Sequence, residues 1–297
     1  MTSSALPGLP DAIAAWYQEN ARDLPWRRPD FHARYGAWGT LVAETMLQQT
    51  PVARVLAPLA EWLERWPTPA AQAAASPAET VTAWANLGYP RRALWLRDAA
   101  AQIVARHGGV VPRTVPELLA LPGVGDYTAR AVAVFAYGDD HPVVDTNIRR
   151  VLARAVAGQA HPGPPARRDL AEMAEFLAGA TAASPLVNAA TMELGAIVCT
   201  ARAPRCEDCP LRAQCAWRAA GYPDTGDTRR RQARYEGSDR QARGAVLRAL
   251  REGPAAGLAA DTVASELPDV AQRARAIESL LADGLVEVTA GRLHLPR

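Results

Sequence analysis

Four cysteines fall within seventeen residues, "CTARAPRCEDCPLRAQC", at Cys199, Cys206, Cys209 and Cys215, and the chain has no others. A C-x6-C-x2-C-x5-C spacing gathers four thiols into one loop. In a reducing compartment such a group is expected to hold a metal rather than form disulfides. Thiolates suit both zinc and an iron–sulfur cluster, and the spacing differs from the paired CxxC of a zinc ribbon. Chemistry alone leaves that choice open. The N-terminal stretch "MTSSALPGLPDAIAAWYQEN" has no basic start and no long apolar run, and nothing elsewhere approaches a membrane span. A cytoplasmic protein with no membrane partner is expected.

From residue 11 to about 217, Ala, Leu, Val and Trp recur at three and four spacing between Pro, Gly and Asn breaks. This is the helical period, and no strand–helix alternation interrupts it, so a mainly α core is expected. The polar, arginine-rich run at 221–238 reads as a linker. Beyond it, 239–297 shows an amphipathic helix, a shorter one at "ADTVASEL", a third at "DVAQRARAIESLLADG" and two β-prone pieces around "AGR". Three helices and a hairpin form the winged-helix pattern, which offers a helix to a DNA groove. The same pattern also serves as a packing or interaction module.

In "LPGVGDYTA", Gly123 and Gly125 allow close backbone approach, and the amides at the following helix start form an anion site suited to a DNA phosphate. Alone, such a turn is also an ordinary helix connection. The net charge of +2 is small, so DNA contacts would come from local patches. Downstream, Asp145 ends the apolar run "HPVV" and starts a helix, which predicts an N-cap carboxylate. Glu44 lies inside the apolar stretch "LVAETML". Either it faces solvent, or burial raises its pKa and makes it a general acid. One acid for the leaving group and one carboxylate for an oxocarbenium ion is the logic of glycosidic cleavage.

These residues resemble a known superfamily. "LPGVGDYTA", Asp145 and the four cysteines are similar to the helix-hairpin-helix, catalytic aspartate and [4Fe–4S] loop of the endonuclease III-like DNA glycosylases. Within it, "RDLPWR", "AETMLQQT", "NLGYPRRA" and "MELGAIVCT" look like the MutY family of adenine glycosylases, over residues 11 to about 217. The resemblance implies a two-lobed helix-hairpin-helix domain at 1–220. Its six-helix lobe would span about 30–138 and its iron–sulfur lobe 1–29 and 139–220. It implies a [4Fe–4S] cofactor on the four cysteines, and a monomer acting on double-stranded DNA with adenine opposite 8-oxoguanine or guanine.

Residue by residue, the resemblance makes Glu44 the acid that protonates adenine and Asp145 the group that stabilises the sugar cation, with Asn147 and Tyr127 bonding around them. It places Arg22, Leu24, Trp26, Arg27 and Glu193 around the extruded adenine. Gln49, Thr50, Leu87 and Tyr89 would wedge into the duplex at the opposite base. Related bifunctional enzymes use a lysine at the place of Tyr127. This chain has none, every side-chain cation other than histidine being arginine, so Schiff-base strand scission is not expected. Another base, such as mismatched thymine, is the alternative substrate. The resemblance would lead to a Nudix-like domain after the cysteine loop, and 239–297 is not expected to be one, being too short and differently patterned. Pro90 stands where a second tyrosine is common.

Overall fold

The computed structural model describes residues 8–224, 226, 235–254, 256–265, 267 and 269–297. In chain order the helices are α1 (Leu9–Asn20), α2 (Pro29–Leu47), α3 (Val52–Arg65), α4 (Pro69–Ala74), α5 (Pro77–Ala83), α6 (Arg91–His107) and α7 (Val115–Leu119). They continue with α8 (Asp126–Tyr137), α9 (Thr146–Ala155), α10 (Arg168–Ala178), α11 (Ser184–Ile197), α12 (Ala216–Ala219), α13 (Asp239–Glu252) and α14 (Val270–Ala282). Strands β1 (Leu258–Ala259), β2 (Glu287–Thr289) and β3 (Arg292–His294) lie in the C-terminal part. Local chemistry accounts for many boundaries. Ser76 and Glu79 form a reciprocal capping box behind Pro77, and Thr68 and Asp269 cap α4 and α14.

The chain divides into two compact units. One comprises residues 1–33, 113–119 and 125–229, the other 34–112, 120–124 and 230–297. In the first, α9 and α11 bury Ile148, Val151, Val187 and Leu194 against Ile13 of α1 and Met173 of α10. In the second, Leu41, Met46, Leu59 and Ile103 are buried, as is Trp62, whose ring meets Trp66 and Trp84 edge-on at 4.7 and 5.5 Å. These T-shaped contacts add to the area that each indole buries. The division differs from the lobes implied by the resemblance, since α8 groups with α9 and α11, while 239–297 groups with 34–112.

That grouping has a packing cause. Val246, Leu250, Leu280, Leu285 and Leu293 form a core that also takes in Val81 of α5 and Leu94 of α6. The Arg251 Nη1 donates to the Ala85 carbonyl at 2.9 Å. β3 pairs antiparallel with both β1 and β2, and β2 runs into it through a turn at Ala290 and Gly291, both with positive φ. The order in the described residues is helix, strand, helix and hairpin, where the sequence pattern predicts three helices and a hairpin. "ADTVASEL" is not a helix: residues 260–265 are turns, with Ala264 left-handed at φ 50°. β-branched Thr262 and Val263 disfavour so short a helix, and the Thr262 hydroxyl bonds the Ala259 carbonyl instead. Half of the expected linker, 225 and 227–234, lies outside the described residues.

In the turn before α8, Gly123 has φ +73°, and a Cβ there would sit 2.7 Å from Cβ of Trp95. Gly125 has extended backbone and open space around it, so only the first glycine is required. Gly123→Ala should therefore destabilise by about 2 kcal/mol or more, combining a left-handed alanine with displacement of Trp95. Gly125→Ala should change stability little. Urea unfolding of the two variants checks this, and equal stabilities would contradict it.

Candidate active site and cysteine cluster

Asp145 is the N-cap of α9. Its Oδ1 accepts from the amides of Asn147 and Ile148 at 2.9 and 2.7 Å, and its Oδ2 accepts from Nδ2 of Asn147 at 2.7 Å. Burial pushes this carboxyl above the ordinary aspartate value, while these bonds and the Arg150 charge oppose the rise. The expected cap is present, and Asn147 closes onto it. Arg150, buried one turn along α9, donates to Oδ1 of Asn147 at 2.7 Å, to the Gly195 carbonyl at 2.5 Å and to the Cys199 carbonyl at 2.6 Å. A hydrogen-bonded path therefore runs from the Asp145 carboxylate to the first cysteine. Gly195 makes it possible, since a Cβ there would lie 2.7 Å from that of Asn147.

Glu193 of α11, only 1% exposed, gathers the arginines of the N-terminal segment. Oε1 accepts from the backbone N and Nε of Arg22 at 3.0 and 2.7 Å, and Oε2 accepts from Nη2 of Arg22 and of Arg27, both at 2.8 Å. Burial alone would raise the Glu193 pKa, but the two guanidiniums bring it down to about 2. Arg27 also lies over the Tyr17 ring at 5.2 Å. Leu24 is buried and Trp26 half-buried beside them in sequence. Five residues expected around one base thus include three joined by charge-assisted bonds. Tyr127 packs with Ala131, Val134, Val143 and Met192, its hydroxyl 3.9 Å from the Met192 sulfur.

The Glu193 pKa is depressed on folding, so its contribution to stability is complete above about pH 4.5 and is lost as the pH falls toward 2. Acid unfolding followed by circular dichroism should show this loss below pH 4.5. The Glu193→Gln variant should be less stable at neutral pH and flatter across that window. A parent curve parallel to the variant's would overturn the assignment.

In the second unit, Glu44 is buried on α2 among Leu41, Val42, Ala43 and Met46, and so follows the buried of the two alternatives. Gln49 and Tyr89 are exposed, and both are non-glycine residues with positive φ, 56° and 46°. Thr50 and Leu87 behave otherwise. Both are buried, and the Thr50 hydroxyl donates to the Leu87 carbonyl at 3.1 Å. They tie the two loops together, and an apolar Leu87 gains from entering the core.

Sequence reasoning missed Arg92. It is 4% exposed and lies over the rings of Trp84 and Tyr89, donating to the carbonyls of Thr45, Gln48 and Gly88 at 2.7, 2.6 and 3.0 Å. Burial lowers its pKa to about 10. Its signal was present in "GYPRR", but nothing local tells a buried arginine from an exposed one.

All four cysteines line one cavity with Val198, Pro204 and Trp217. Arg154, 3% exposed, lies over the Trp217 ring and bonds Sγ of Cys199 at 3.5 Å and the Thr200 carbonyl at 2.7 Å. Burial raises the thiol of Cys199, and that of Cys209 to about 11. Among the described residues no three His, Cys, Asp or Glu groups converge as ligands of a single ion. Four thiols around a common cavity are a soft donor set that suits either zinc or an iron–sulfur cluster. Arg205 and Arg212 on this loop face Asp208 and Glu207 at 3.6 and 2.7 Å, so acidic neighbours partly offset their charge.

Hairpin, capped aspartate and cysteine loop define a class, the helix-hairpin-helix repair glycosylases. The family model described as "HhH-GPD superfamily base excision DNA repair protein" matches residues 42–175. Solved structures of a thermostable thymine-DNA glycosylase and of a trapped endonuclease III–DNA intermediate share the fold. Their TM-scores are 0.63 and 0.58 at 25% and 22% identity, over 71% and 72% of this chain and 95% of each of theirs.

The adenine DNA glycosylase of Mycolicibacterium smegmatis is 53% identical over 96% of this chain and 95% of its own. The human adenine DNA glycosylase is 41% identical over 69% of this chain and 38% of its own. The chain belongs to the adenine DNA glycosylase family and is a DNA glycosylase. Among the described residues no helix is long and apolar enough to cross a membrane.

Proposed function

We propose that the protein excises adenine opposite 8-oxoguanine or guanine in duplex DNA and leaves the strand uncut. It would act as a cytoplasmic monomer in base excision repair. The observation that carries the reading is the capped, desolvated Asp145 carboxylate, in a chain similar over nearly its whole length to adenine DNA glycosylases. Extruding the base from the stack lets Glu44 protonate a ring nitrogen of adenine. The C1′–N9 bond then breaks with its electron pair leaving on the base, and the ionised Asp145 stabilises the C1′ cation. Water adds to C1′ as Glu44 takes up the proton.

Arg22, Leu24, Trp26, Arg27 and Glu193 would surround the base, and Asn147 and Tyr127 would order the aspartate. The Gly123–Gly125 turn would receive a phosphate. The four cysteines would hold a [4Fe–4S] cluster, which supplies a structural cross-link to the loop.

No side-chain amine exists in the chain to form a Schiff base. The test is a glycosylase assay on duplexes with adenine opposite 8-oxoguanine, guanine or cytosine, and with thymine opposite guanine, with and without alkali. Adenine release with strand cleavage only after alkali, lost in Glu44→Gln, supports the reading. Thymine release, or cleavage without alkali, overturns it.

A further inference from the structure

Within the second unit, the loops carrying Gln49 and Tyr89 and the C-terminal segment wall one open cavity of about 410 Å³, in the size range of small-ligand sites. Gln49 and Tyr89 line one side, with Trp95 and Arg91 of α6. Arg243 of α13 and Asp283, just after α14, line the other. Tyr89 is 46% and Trp95 37% exposed, which offers aromatic surface to a flat ring. Asp283 stands between two guanidiniums, Oδ1 3.2 Å from Nη1 of Arg91 and Oδ2 2.6 Å from Nη2 of Arg243. Arg243 is anchored further by the Ser279 hydroxyl, and Arg91 by the Trp95 ring at 5.3 Å. Two of the cavity's residues, Gln49 and Tyr89, hold left-handed backbone, a strain that clusters at ligand sites.

If Gln49 and Tyr89 meet the purine opposite the excised base, as the resemblance implies, it lies in this cavity, and we infer that Arg243 and Asp283 read its oxidation state. The inference rests on the proposed adenine excision. Guanine shows only acceptors, N7 and O6, on its major-groove edge. Oxidation at C8 turns N7 into an N–H donor and adds a carbonyl acceptor beside it. A carboxylate accepts only, and it offers about four lone-pair sites, two of which face Arg91 and Arg243 here. A guanidinium donates only. Asp283 for the N7 proton and Arg243 for the new carbonyl therefore match the oxidised ring, whereas Asp283 repels the lone pair of unoxidised N7. A module unlike a Nudix domain thus supplies lesion recognition in this chain.

The test uses the full chain and duplexes carrying 2′-fluoro-2′-deoxyadenosine, which resists excision, opposite 8-oxoguanine, guanine or a tetrahydrofuran abasic residue. Anisotropy titration gives Kd for each. Asp283→Asn and Arg243→Gln should weaken 8-oxoguanine binding by about tenfold and change abasic binding by less than about twofold. The preference for 8-oxoguanine over guanine should fall accordingly. Arg275→Gln, an exposed change elsewhere on α14, should leave the preference as in the parent. Equal losses on all three duplexes would show that Arg243 and Asp283 only brace the fold and would overturn the inference, as would no loss on any. Asp283→Asn is nearly isosteric, so it keeps the test open if Arg243→Gln folds poorly. Failure of the excision reading is distinguishable: the parent would then release no adenine in the glycosylase assay.

Discussion

Asp145→Asn is expected to lower the single-turnover rate of adenine release by about 10³-fold while leaving the protein folded. Asparagine is as good an N-cap as aspartate, so the Oδ1 position still accepts from the amides of Asn147 and Ile148 and α9 still starts at Thr146. What disappears is the negative charge. Electrostatic groups aimed at developing charge are worth about 10²–10³ in rate each, and the general acid of the same reaction about 10²–10⁴.

There is a local cost. The new amide meets the Nδ2 donor of Asn147, which must turn away and release its bond with Arg150. Burial raises the Asp145 pKa, so the acid limb of the parent's rate profile should fall above the ordinary aspartate value of 3.8, and it should vanish in the variant. A variant within about tenfold of the parent would remove Asp145 from the chemistry.

Arg150→Met should cost about 3–5 kcal/mol. The guanidinium reaches the carbonyls of Gly195 and Cys199 in the interior of the first unit, at 2.5 and 2.6 Å. Methionine fills the volume but strands those acceptors, at about 1–3 kcal/mol apiece. With roughly 2–4 °C lost per kcal/mol in a chain of this size, thermal denaturation should fall by about 10 °C. Because Arg150 also holds Oδ1 of Asn147, the aspartate should be less well oriented, and kcat should fall more than KM rises. Arg150→Lys should restore only part of the stability, since an ammonium cannot span three acceptors as a planar fork does. A melting temperature within about 2 °C of the parent would show that these bonds are not stabilising.

Much of the local architecture was legible beforehand because it depends on neighbours within a few residues. The helical period, the Asp145 cap and the Pro and Gly helix boundaries all follow from backbone groups that nearby side chains satisfy. The same holds for the β-hairpin around Ala290 and Gly291. "ADTVASEL" shows the limit: its pattern admits a short helix, but β-branched residues and a left-handed Ala264 produce turns.

The amino-acid order alone was enough for four thiols in one loop and for a chain without a lysine, because covalent inventory does not depend on folding. Packing settled the rest. Glu193 bonds arginines more than 160 residues away, and Arg92, Arg150 and Arg154 are buried pillars rather than surface cations. Leu87 enters the core while Tyr89, two residues on, stays exposed. The C-terminal segment shares its core with Val81 and so brings Arg243 and Asp283 beside Gln49 and Tyr89. Each of these depends on which distant groups can desolvate and satisfy a charge or an apolar surface. That partnership exists only once the helices have packed.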